Sequence, residues 1–404
     1  MQILVADKFP DERLSDLRDL GGVEVVYLPK LDAAELLSAI ATASVLIVRS
    51  RKVPREAIEA GSRLCLVIRA GAGVDNIDVP AASERGIYVA NCPGKNSVAV
   101  AELVFGLLLA VDRRIPDAVA EARAGRFNKA EYGRDDRALG LAGRRLGLLG
   151  FGAIAREVAT RARAFDMHVT AWSRSLTDAG AAEAGVSRAH TPEELCAYSD
   201  ILSVHLARAV ETKHFVSDKL LMRLPVGAVL INTSRSDVVN PDALARAIEE
   251  RQLKVGTDVP YDEPKAGVAP LTDPLAARPE VYLTPHVGAS TAQAQDAIAR
   301  ETIRIIQQFR RHGHVPNCVN LCARSPAEYQ LLVRHLDRVG VLANVLTVLK
   351  THDINAEEME NTVFEGARAA VCKIKVSARP SEQALAEIRV RRDEVFHVEL
   401  IQLS

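Results

Sequence analysis

The sequence predicts an α/β protein with two doubly wound parallel sheets, both Rossmann-like, followed by a small α+β domain. Three observations support this prediction. Short apolar runs alternate with helical stretches over the first 90 residues, the same rhythm restarts near Gly143, and the pattern changes after Pro326. Such alternation is typical of parallel sheets with helices on their faces. With 404 residues, the chain is also too long for one ordinary domain.

The first α/β region covers residues 1–90. Its strands are predicted at Gln2–Ala6, Val23–Tyr27, Val45–Val48, Cys65–Arg69 and Tyr88–Ala90, with helices such as Asp11–Leu20 and Ala33–Ala41 between them. The most apolar run follows, from Val98 to Val111. It is shorter than the roughly 20 residues that a membrane helix needs, so we predict a buried helix there.

The second α/β region contains the remaining parallel strands. They are predicted at Arg145–Gly150, His168–Trp172, Ile201–His205, Ala228–Asn232, Lys254–Thr257 and Val281–Thr284. One helix is predicted to end at Phe165, and a long one spans Ala292–Arg311.

The last 80 residues are predicted to form a separate βαββαβ module. Its strands are Tyr329–His335, Ile354–Thr362, Ala369–Val376 and Val395–Leu403, and its helices are Gly340–His352 and Ser381–Arg389.

Composition excludes several classes of protein. The net charge is −1, which gives no reason to expect a nucleic-acid partner. The N-terminal residues enter a strand-like run without a cationic segment, so we expect no secretory signal and a cytoplasmic location. The six cysteines are scattered and lack metal-ligand spacing, so we expect reduced thiols and no metal.

A glycine-rich turn predicts a dinucleotide site. Gly150, Gly152 and Ala155 form the pattern G-x-G-x-x-A between a predicted strand and a predicted helix. The two glycines allow a tight turn and the close approach of a pyrophosphate, which the helix N-terminus attracts. A merely tight strand–helix turn is the alternative interpretation.

The next strand ends at Ser173 and Arg174, where NAD enzymes usually carry an acid for the ribose hydroxyls. Loss of that acid removes repulsion toward a 2′-phosphate, and Arg174 could bind one. The prediction is therefore NAD, with NADP as a nearly equal alternative.

Three further segments place reactive side chains after predicted strands. They contain Arg235, Glu263 and His286 in that order. An arginine can hold a carboxylate in a bidentate contact, and a histidine beside a carboxylate can move a proton near neutral pH. Together with the glycine-rich turn, they indicate hydride transfer on a 2-hydroxy acid.

In these segments the chain resembles the D-isomer-specific 2-hydroxyacid dehydrogenase family, and within it the D-3-phosphoglycerate dehydrogenases that carry a C-terminal ACT-type domain. The resemblance implies a substrate-binding domain made of residues 1–96 and 287–322, and an NAD(P)-binding domain at 97–286. It also implies an ACT-like regulatory or oligomerisation domain at 327–404. A small 2-hydroxy acid is the implied substrate, and a homodimer or homotetramer is the implied assembly, without nucleic acid or membrane.

The resemblance also implies residue roles. Arg235 holds the substrate carboxylate, His286 is the general acid and base, and Glu263 orients the imidazole and favours its charged form. The implied cofactor-binding residues are Gly150, Gly152, Ala153, Ile154, Ser173, Arg174, Thr233, Asp258 and Gly288. Ser236 stands where the family usually has glycine, so a slight strain is expected if that position needs a positive φ.

The implied substrate is 3-phosphoglycerate, since cations suit its phosphate. The implied substrate-binding residues are Arg49, Arg51, Gly71, Ala72, Gly73, Asn96 and Lys129. Relatives that use unphosphorylated acids also carry an Arg-Ser-Arg sequence, so a glyoxylate or hydroxypyruvate reductase stays open. A dinucleotide-sensing co-repressor-like protein is a third reading.

Regulation by serine is left open. Asn355 and His335 match residues of the serine site in inhibited relatives, whereas Asp337 and Val339 replace the asparagine and proline found there. Aspartate cannot donate the amide hydrogen bond that an amino acid's carboxylate needs, which argues against serine as the effector.

Overall fold

The computed structural model describes residues 1–133, 138–264, 268–322, 325–390 and 393–403. The chain divides into two compact units, Met1–Asn320 and Leu321–Ser404. The first unit contains two parallel sheets and the second contains one antiparallel sheet.

The first sheet has the strand order β2-β1-β3-β4-β5, and all its pairings are parallel. Its strands are β1 (Gln2–Val5), β2 (Glu24–Tyr27), β3 (Val45–Val48), β4 (Leu66–Arg69) and β5 (Tyr88–Ala90). Its helices are α1 (Asp11–Arg18), α2 (Ala33–Ile40), α3 (Arg55–Ala60) and α4 (Val79–Glu84). The central strands are continuous apolar runs because helices cover both faces of the sheet.

Three helices lead to the second sheet: α5 (Ser97–Arg113), α6 (Ile115–Arg123) and α7 (Lys129–Tyr132). The apolar residues of α5, including Leu107, Leu108 and Val111, are buried against Leu146 and Ile231 of the second sheet. The predicted buried helix at Val98–Val111 is therefore confirmed.

The second sheet is also fully parallel, with the order β12-β11-β10-β9-β6-β7-β8. Its strands are β6 (Arg145–Leu149), β7 (His168–Trp172), β8 (Ser187–Arg188), β9 (Ile201–Val204), β10 (Val229–Asn232), β11 (Lys254–Thr257) and β12 (Val281–Leu283). Its helices are α8 (Ala153–Ala164), α9 (Asp178–Glu183), α10 (Pro192–Tyr198), α11 (Asp218–Leu221) and α12 (Pro241–Arg251).

The long helix α13 (Ala292–His312) returns the chain to the first sheet. Its buried residues Ile298, Ile305 and Ile306 pack with Ile3 and Val5 of β1. Residues from both ends of the first unit thus build one core.

The second unit has the order βαββαβ and an antiparallel sheet arranged β14-β15-β13-β16. Its elements are β13 (Tyr329–Leu336), α14 (Val341–Thr351), β14 (Ala356–Val363), β15 (Ala369–Val376), α15 (Glu382–Arg389) and β16 (Val395–Gln402). Both helices pack on one face of the sheet, because alternate residues of β13 and β15 are buried against them.

The predicted elements agree with these bounds to within two residues, and the α/β class with parallel Rossmann-like sheets is confirmed. The two-residue edge strand β8 escaped prediction because it has too few residues to show a period. Within the described residues, no helix has both the length and the apolar content that crossing a membrane requires.

Candidate active site

The glycine-rich turn joins β6 to α8 where the strand order reverses between β6 and β9. Gly150 has a φ of +93°, and a Cβ there would lie 2.7 Å from the carbonyl oxygen of His205. Only glycine fits both conditions. Gly152 has open space where a Cβ would point, and no described side chain caps α8. The first amides of α8, at Ala153 and Ile154, are therefore placed to receive a pyrophosphate.

His205 lies beside this turn as a neutral group. Burial lowers the pKa of its imidazole to about 4, and its Nε2 lies 2.9 Å from the Ser203 hydroxyl. An uncharged imidazole here leaves the helix N-terminus as the local source of positive potential.

Buried polar atoms without partners also mark the cofactor side of the cleft. Within the described residues, the Thr233 Oγ1, Asn96 Oδ1 and Ser97 Oγ atoms are buried and make no hydrogen bond. A Cβ on Gly94 would lie 3.8 Å from both the Ser97 hydroxyl and the Ala153 side chain, so this segment lies next to α8. Since buried polar groups are nearly always paired, these atoms fit a polar ligand such as a dinucleotide.

Ser173 and Arg174 follow β7, next to the glycine turn, where the Trp172 carbonyl accepts a 2.8 Å bond from the Gly150 amide. Arg174 is exposed, and no described side chain pairs with it. The position expected to hold a ribose-binding acid therefore carries a hydroxyl and a free cation.

His286 and Glu263 are in direct contact. The imidazole Nδ1 lies 2.9 Å and 3.0 Å from the two carboxylate oxygens. A carboxylate only accepts, so Nδ1–H donates and Nε2 remains free to accept a proton. His286 has a φ of +53°, a left-handed conformation that is uncommon outside glycine and marks a turn under constraint.

Asp258 provides that constraint. Its carboxylate accepts hydrogen bonds from the Thr284 hydroxyl at 2.6 Å, the Val287 amide at 2.9 Å and the Gly288 amide at 2.8 Å. With 1% of its surface exposed, Asp258 holds both sides of the His286 turn. These bonds use three of the roughly four acceptor sites of its carboxylate, and the contact of Asp258 with the cofactor stays a prediction.

Gly288 is also required for the packing of the His286 turn. A Cβ there would lie 2.9 Å from the Asp258 carboxylate and 3.4 Å from Val100 of α5. Glycine is needed for this close packing, and the contact of Gly288 with the cofactor stays a prediction.

Arg235 follows β10 and reaches across to the loop after β4. Its Nε and Nη2 donate to one Asp75 carboxylate oxygen at 3.1 Å and 3.0 Å, and its Nη1 donates to the Ser234 carbonyl at 2.8 Å. Of the five N–H donors of a guanidinium, two remain, which is the number that a bidentate carboxylate requires. Sequence reasoning missed Asp75, although it lies two residues after Gly73, which was expected to bind substrate.

Arg49 and Arg51 have different environments. Arg49 is half-buried, and its Nη2 lies 3.4 Å from the Ser290 hydroxyl, four residues after His286. Arg51 instead donates from Nε to the Ala6 carbonyl at 2.7 Å, and its two terminal nitrogens donate to the carbonyls of Leu31 and Pro29. These three bonds tie loops of the first sheet together through the Arg51 guanidinium, so substrate binding by Arg51 stays a prediction that its contacts do not favour.

The Arg51→Met variant should therefore lose stability rather than specificity. Unpaired carbonyls at Ala6 and Leu31 should lower the free energy of unfolding by about 1 to 3 kcal/mol. Thermal unfolding measures this loss, with Arg63→Met, a change at an exposed arginine, as the matched control. A KM that rises more for a phosphorylated than for an unphosphorylated substrate would contradict this assignment.

The remaining residues named from the sequence lie as follows. Gly71 to Gly73 form the loop after β4, and Asn91 donates to the Ala72 carbonyl at 2.5 Å. Lys129 is exposed at the start of α7, and its side chain makes no described contact with Arg49 or Arg235. Ser236 begins a short 3-10 turn and has no positive φ, so the expected strain is absent.

Comparison with known proteins agrees with this geometry. Residues 105–288 match the family model described as "D-isomer specific 2-hydroxyacid dehydrogenase, NAD binding domain". The chain is 32% identical to D-3-phosphoglycerate dehydrogenase of Methanocaldococcus jannaschii over 89% of this chain and 67% of that one. It is 33% identical to glyoxylate reductase of Thermococcus litoralis over 79% of this chain and 96% of that one.

Among solved structures, the chain is similar to NAD⁺-bound 3-phosphoglycerate dehydrogenase of Entamoeba histolytica. The TM-score is 0.66 at 27% identity, over 80% of this chain and 99% of that one. The chain belongs to the D-isomer specific 2-hydroxyacid dehydrogenase family, whose nucleotide-binding domain takes NAD. It spans between 58% and 70% of the length of the phosphoglycerate dehydrogenases that it matches.

Proposed function

We propose that the protein oxidises D-3-phosphoglycerate to 3-phosphohydroxypyruvate with NAD, the reaction that opens serine biosynthesis. The observation that carries the proposal is the His286–Glu263 pair. This pair lies on the same sheet edge as Arg235, whose guanidinium has two free N–H donors. Arg235 follows β10 and His286 follows β12, and the ends of these two strands are about 10 Å apart because one strand lies between them. A small 2-hydroxy acid fits between them.

In this mechanism, Arg235 binds the substrate carboxylate and thereby fixes C2 with respect to His286. His286 accepts the hydroxyl proton at Nε2, and Glu263 stabilises the imidazolium that results. A nicotinamide cofactor, held through its dinucleotide by the amides at the start of α8, would supply the acceptor for the hydride from C2. In the reverse direction, His286 returns the proton to the oxygen and Arg235 polarises the carbonyl.

The phosphorylated substrate is favoured by the positive charge around the substrate side. Arg49 and Arg235 both face this part of the cleft, and Asp75, the acid beside them, is already paired with Arg235. Several relatives with 31% to 35% identity are named D-3-phosphoglycerate dehydrogenase. Reduction of glyoxylate or hydroxypyruvate is the second candidate, supported by the similarity to a glyoxylate reductase.

NADP is the alternative to NAD, because Ser173 and the exposed Arg174 lack the negative charge that repels a 2′-phosphate. The dinucleotide would be held by the amides at the start of α8, with Thr233 and Asn96 as polar partners. Comparing kcat/KM for the two cofactors decides between them.

The proposed domains follow the packing of the elements. Residues 1–96 and 287–322 would form the substrate-binding domain, and residues 97–286 the NAD(P)-binding domain. Residues 327–404, of which 391, 392 and 404 lie outside the described residues, would form an ACT-type regulatory or oligomerisation domain. Its His335 is 2% exposed and bonded to Asn361 at 3.1 Å, which argues against a role in holding serine.

We also propose a homo-oligomer, because exposed apolar side chains cluster on α6 and beside it. Ile115 and Val119 are 47% and 41% exposed, and Phe127 is 93% exposed.

Steady-state kinetics tests the proposed substrate. With NAD, kcat/KM for D-3-phosphoglycerate should exceed that for D-glycerate and glycolate by at least about tenfold, the effect of one ion pair worth 1.4 kcal/mol. Rates for D-glycerate equal to those for the phosphorylated acid would overturn the substrate. Cofactor binding without appreciable turnover of any 2-hydroxy acid would instead indicate a dinucleotide sensor.

A further inference from the structure

The carboxylate of Glu263 depends on its backbone for its position. Glu263 lies in the connection between β11 and β12, and within the described residues its carboxylate contacts only His286. Its side chain is 54% exposed, so the packing of neighbouring side chains does not fix it. Whatever holds the main chain of this loop therefore decides whether the carboxylate meets the imidazole.

Tyr261 connects the loop of Glu263 to the rest of the fold. Besides the bonds of Glu263 itself, two hydrogen bonds link residues 260–263 to other parts of the described chain, and Tyr261 makes both. Its main-chain amide donates to the Asp273 carboxylate at 2.8 Å, and its hydroxyl donates to the Val239 carbonyl at 3.1 Å. Burial raises the pKa of the phenol, and the charge of Asp273 raises it further, so the hydroxyl remains a donor.

Asp273 holds two main-chain segments at once. One of its oxygens accepts from the Tyr261 amide, and the other accepts from the Leu275 amide at 2.9 Å. The residue is 5% exposed, and no described cation pairs with it. A carboxylate offers an acceptor on each oxygen, whereas an asparagine side chain offers only one oxygen. Both bonds together therefore require an acid at this position.

The charge of Asp273 strengthens this connection. Hydrogen bonds from amides to an ionised carboxylate are about twice as strong as those between neutral groups. The apolar side chains packed beside the residue keep water away, and this also strengthens the two bonds. Asp273 thus fixes the backbone close to Glu263, much as Asp258 fixes the turn of His286.

We propose that Asp273 is a positioning residue that acts through Glu263, because it holds the loop where the Glu263 carboxylate meets Nδ1 of His286. This role rests on the proposed function in that His286 must be the proton acceptor and Glu263 its partner. Sequence reasoning gave no role to Asp273, which lies ten residues after Glu263. Its importance follows from the two amides that it binds, and neither belongs to a sequence motif of its own.

The first test is Asp273→Ala, which leaves the amides of Tyr261 and Leu275 without an acceptor. For the preferred 2-hydroxy acid, kcat should fall about tenfold, the effect of about 1.4 kcal/mol of lost charge stabilisation at His286. KM for the acid and for the cofactor should change less than about twofold, because Arg235 and the glycine-rich turn keep their contacts. Asp273→Asn keeps one acceptor, so its kcat should lie between that of the alanine variant and the wild type.

A double-mutant cycle separates positioning from folding. If Asp273 acts through Glu263, adding Asp273→Ala to Glu263→Gln should lower kcat by less than about twofold further. The melting temperature should fall by the same amount in both backgrounds, because the same two hydrogen bonds are lost in each.

Asp112→Ala provides the matched control. Asp112 is another buried aspartate, 3% exposed, and it accepts a hydrogen bond from the Gly140 amide at 3.0 Å. It pairs with Arg144 beside the amino end of β6, whereas the site lies at the carboxyl ends of the strands. Asp112→Ala should lower the melting temperature and leave kcat unchanged.

The outcomes distinguish this role from the proposed function. A loss of about tenfold from Asp273→Ala in both backgrounds would overturn the role, because it would show a general effect on the fold. An unchanged kcat in Asp273→Ala, with the loss in Glu263→Gln intact, would also overturn it and leave the proposed function standing. An unchanged kcat in Glu263→Gln would overturn both.

Discussion

Replacing His286 with asparagine should lower kcat by about 10³- to 10⁴-fold, at the upper end of the effect of a general acid and base. Asparagine tolerates the left-handed backbone at this position, where φ is +53°, so the turn should persist. The loss therefore reports the missing proton acceptor. Steady-state turnover of the preferred 2-hydroxy acid measures it.

A matched control is available in the same fold. His214 is also left-handed, with a φ of +53°, and its side chain is exposed. His214→Asn should leave kcat unchanged, and both variants should bind NADH as the wild type does. If His286→Asn kept a tenth of the wild-type kcat, His286 would not be the general acid and base.

Glu263→Gln should give an intermediate result within the same experiment. Its amide oxygen can still accept from Nδ1, but it lacks the charge that stabilises the imidazolium. A kcat about 10- to 100-fold below wild type is expected, since loss of a charge partner worth about 1.4 to 2.7 kcal/mol corresponds to these factors.

Replacing Arg235 with methionine should lower kcat/KM by about 10³-fold, because the substrate carboxylate loses both of its donors. Arg235→Lys keeps the charge but not the planar pair of N–H groups, so its activity should lie between that of the methionine variant and the wild type. Kinetics with saturating cofactor measures both variants.

Arg246 provides the control for this change. It forms a two-bond pair with Asp218 on the surface, through the same two nitrogens, Nε and Nη2, that Arg235 uses toward Asp75. Arg246→Met should leave kcat/KM unchanged. A loss in Arg235→Met that appeared only as weaker cofactor binding would refute its contact with the carboxylate.

Asp75 fixes the orientation of the Arg235 guanidinium before a ligand binds. The carboxylate fixes one edge of the guanidinium and leaves two donors free, so little side-chain entropy remains to be lost when substrate binds. Asp258 does the same for the His286 turn through its three accepted hydrogen bonds. Both acids lie far in sequence from the residues that they position.

The contacts of Arg51 show where sequence reasoning stops. Two arginines flanking Ser50 suggest two cations for one phosphate, but the partners of Arg51 are backbone carbonyls near residues 6 and 29–31. These carbonyls are distant in sequence, so the contacts of Arg51 become evident only in the folded chain.

By itself, the sequence determined the parallel sheets, the βαββαβ module, the glycine turn and the order of Arg235, Glu263 and His286. These follow from local periodicity, from turn chemistry and from the rule that parallel strands end at one edge, all of which are written in neighbouring residues. Only the tertiary structure decided which arginines have free donors, which carboxylates hold the site residues in position and which polar atoms lack partners. Those properties depend on contacts between residues far apart in sequence, and hydrogen-bond donors and burial can be counted only once the chain has folded.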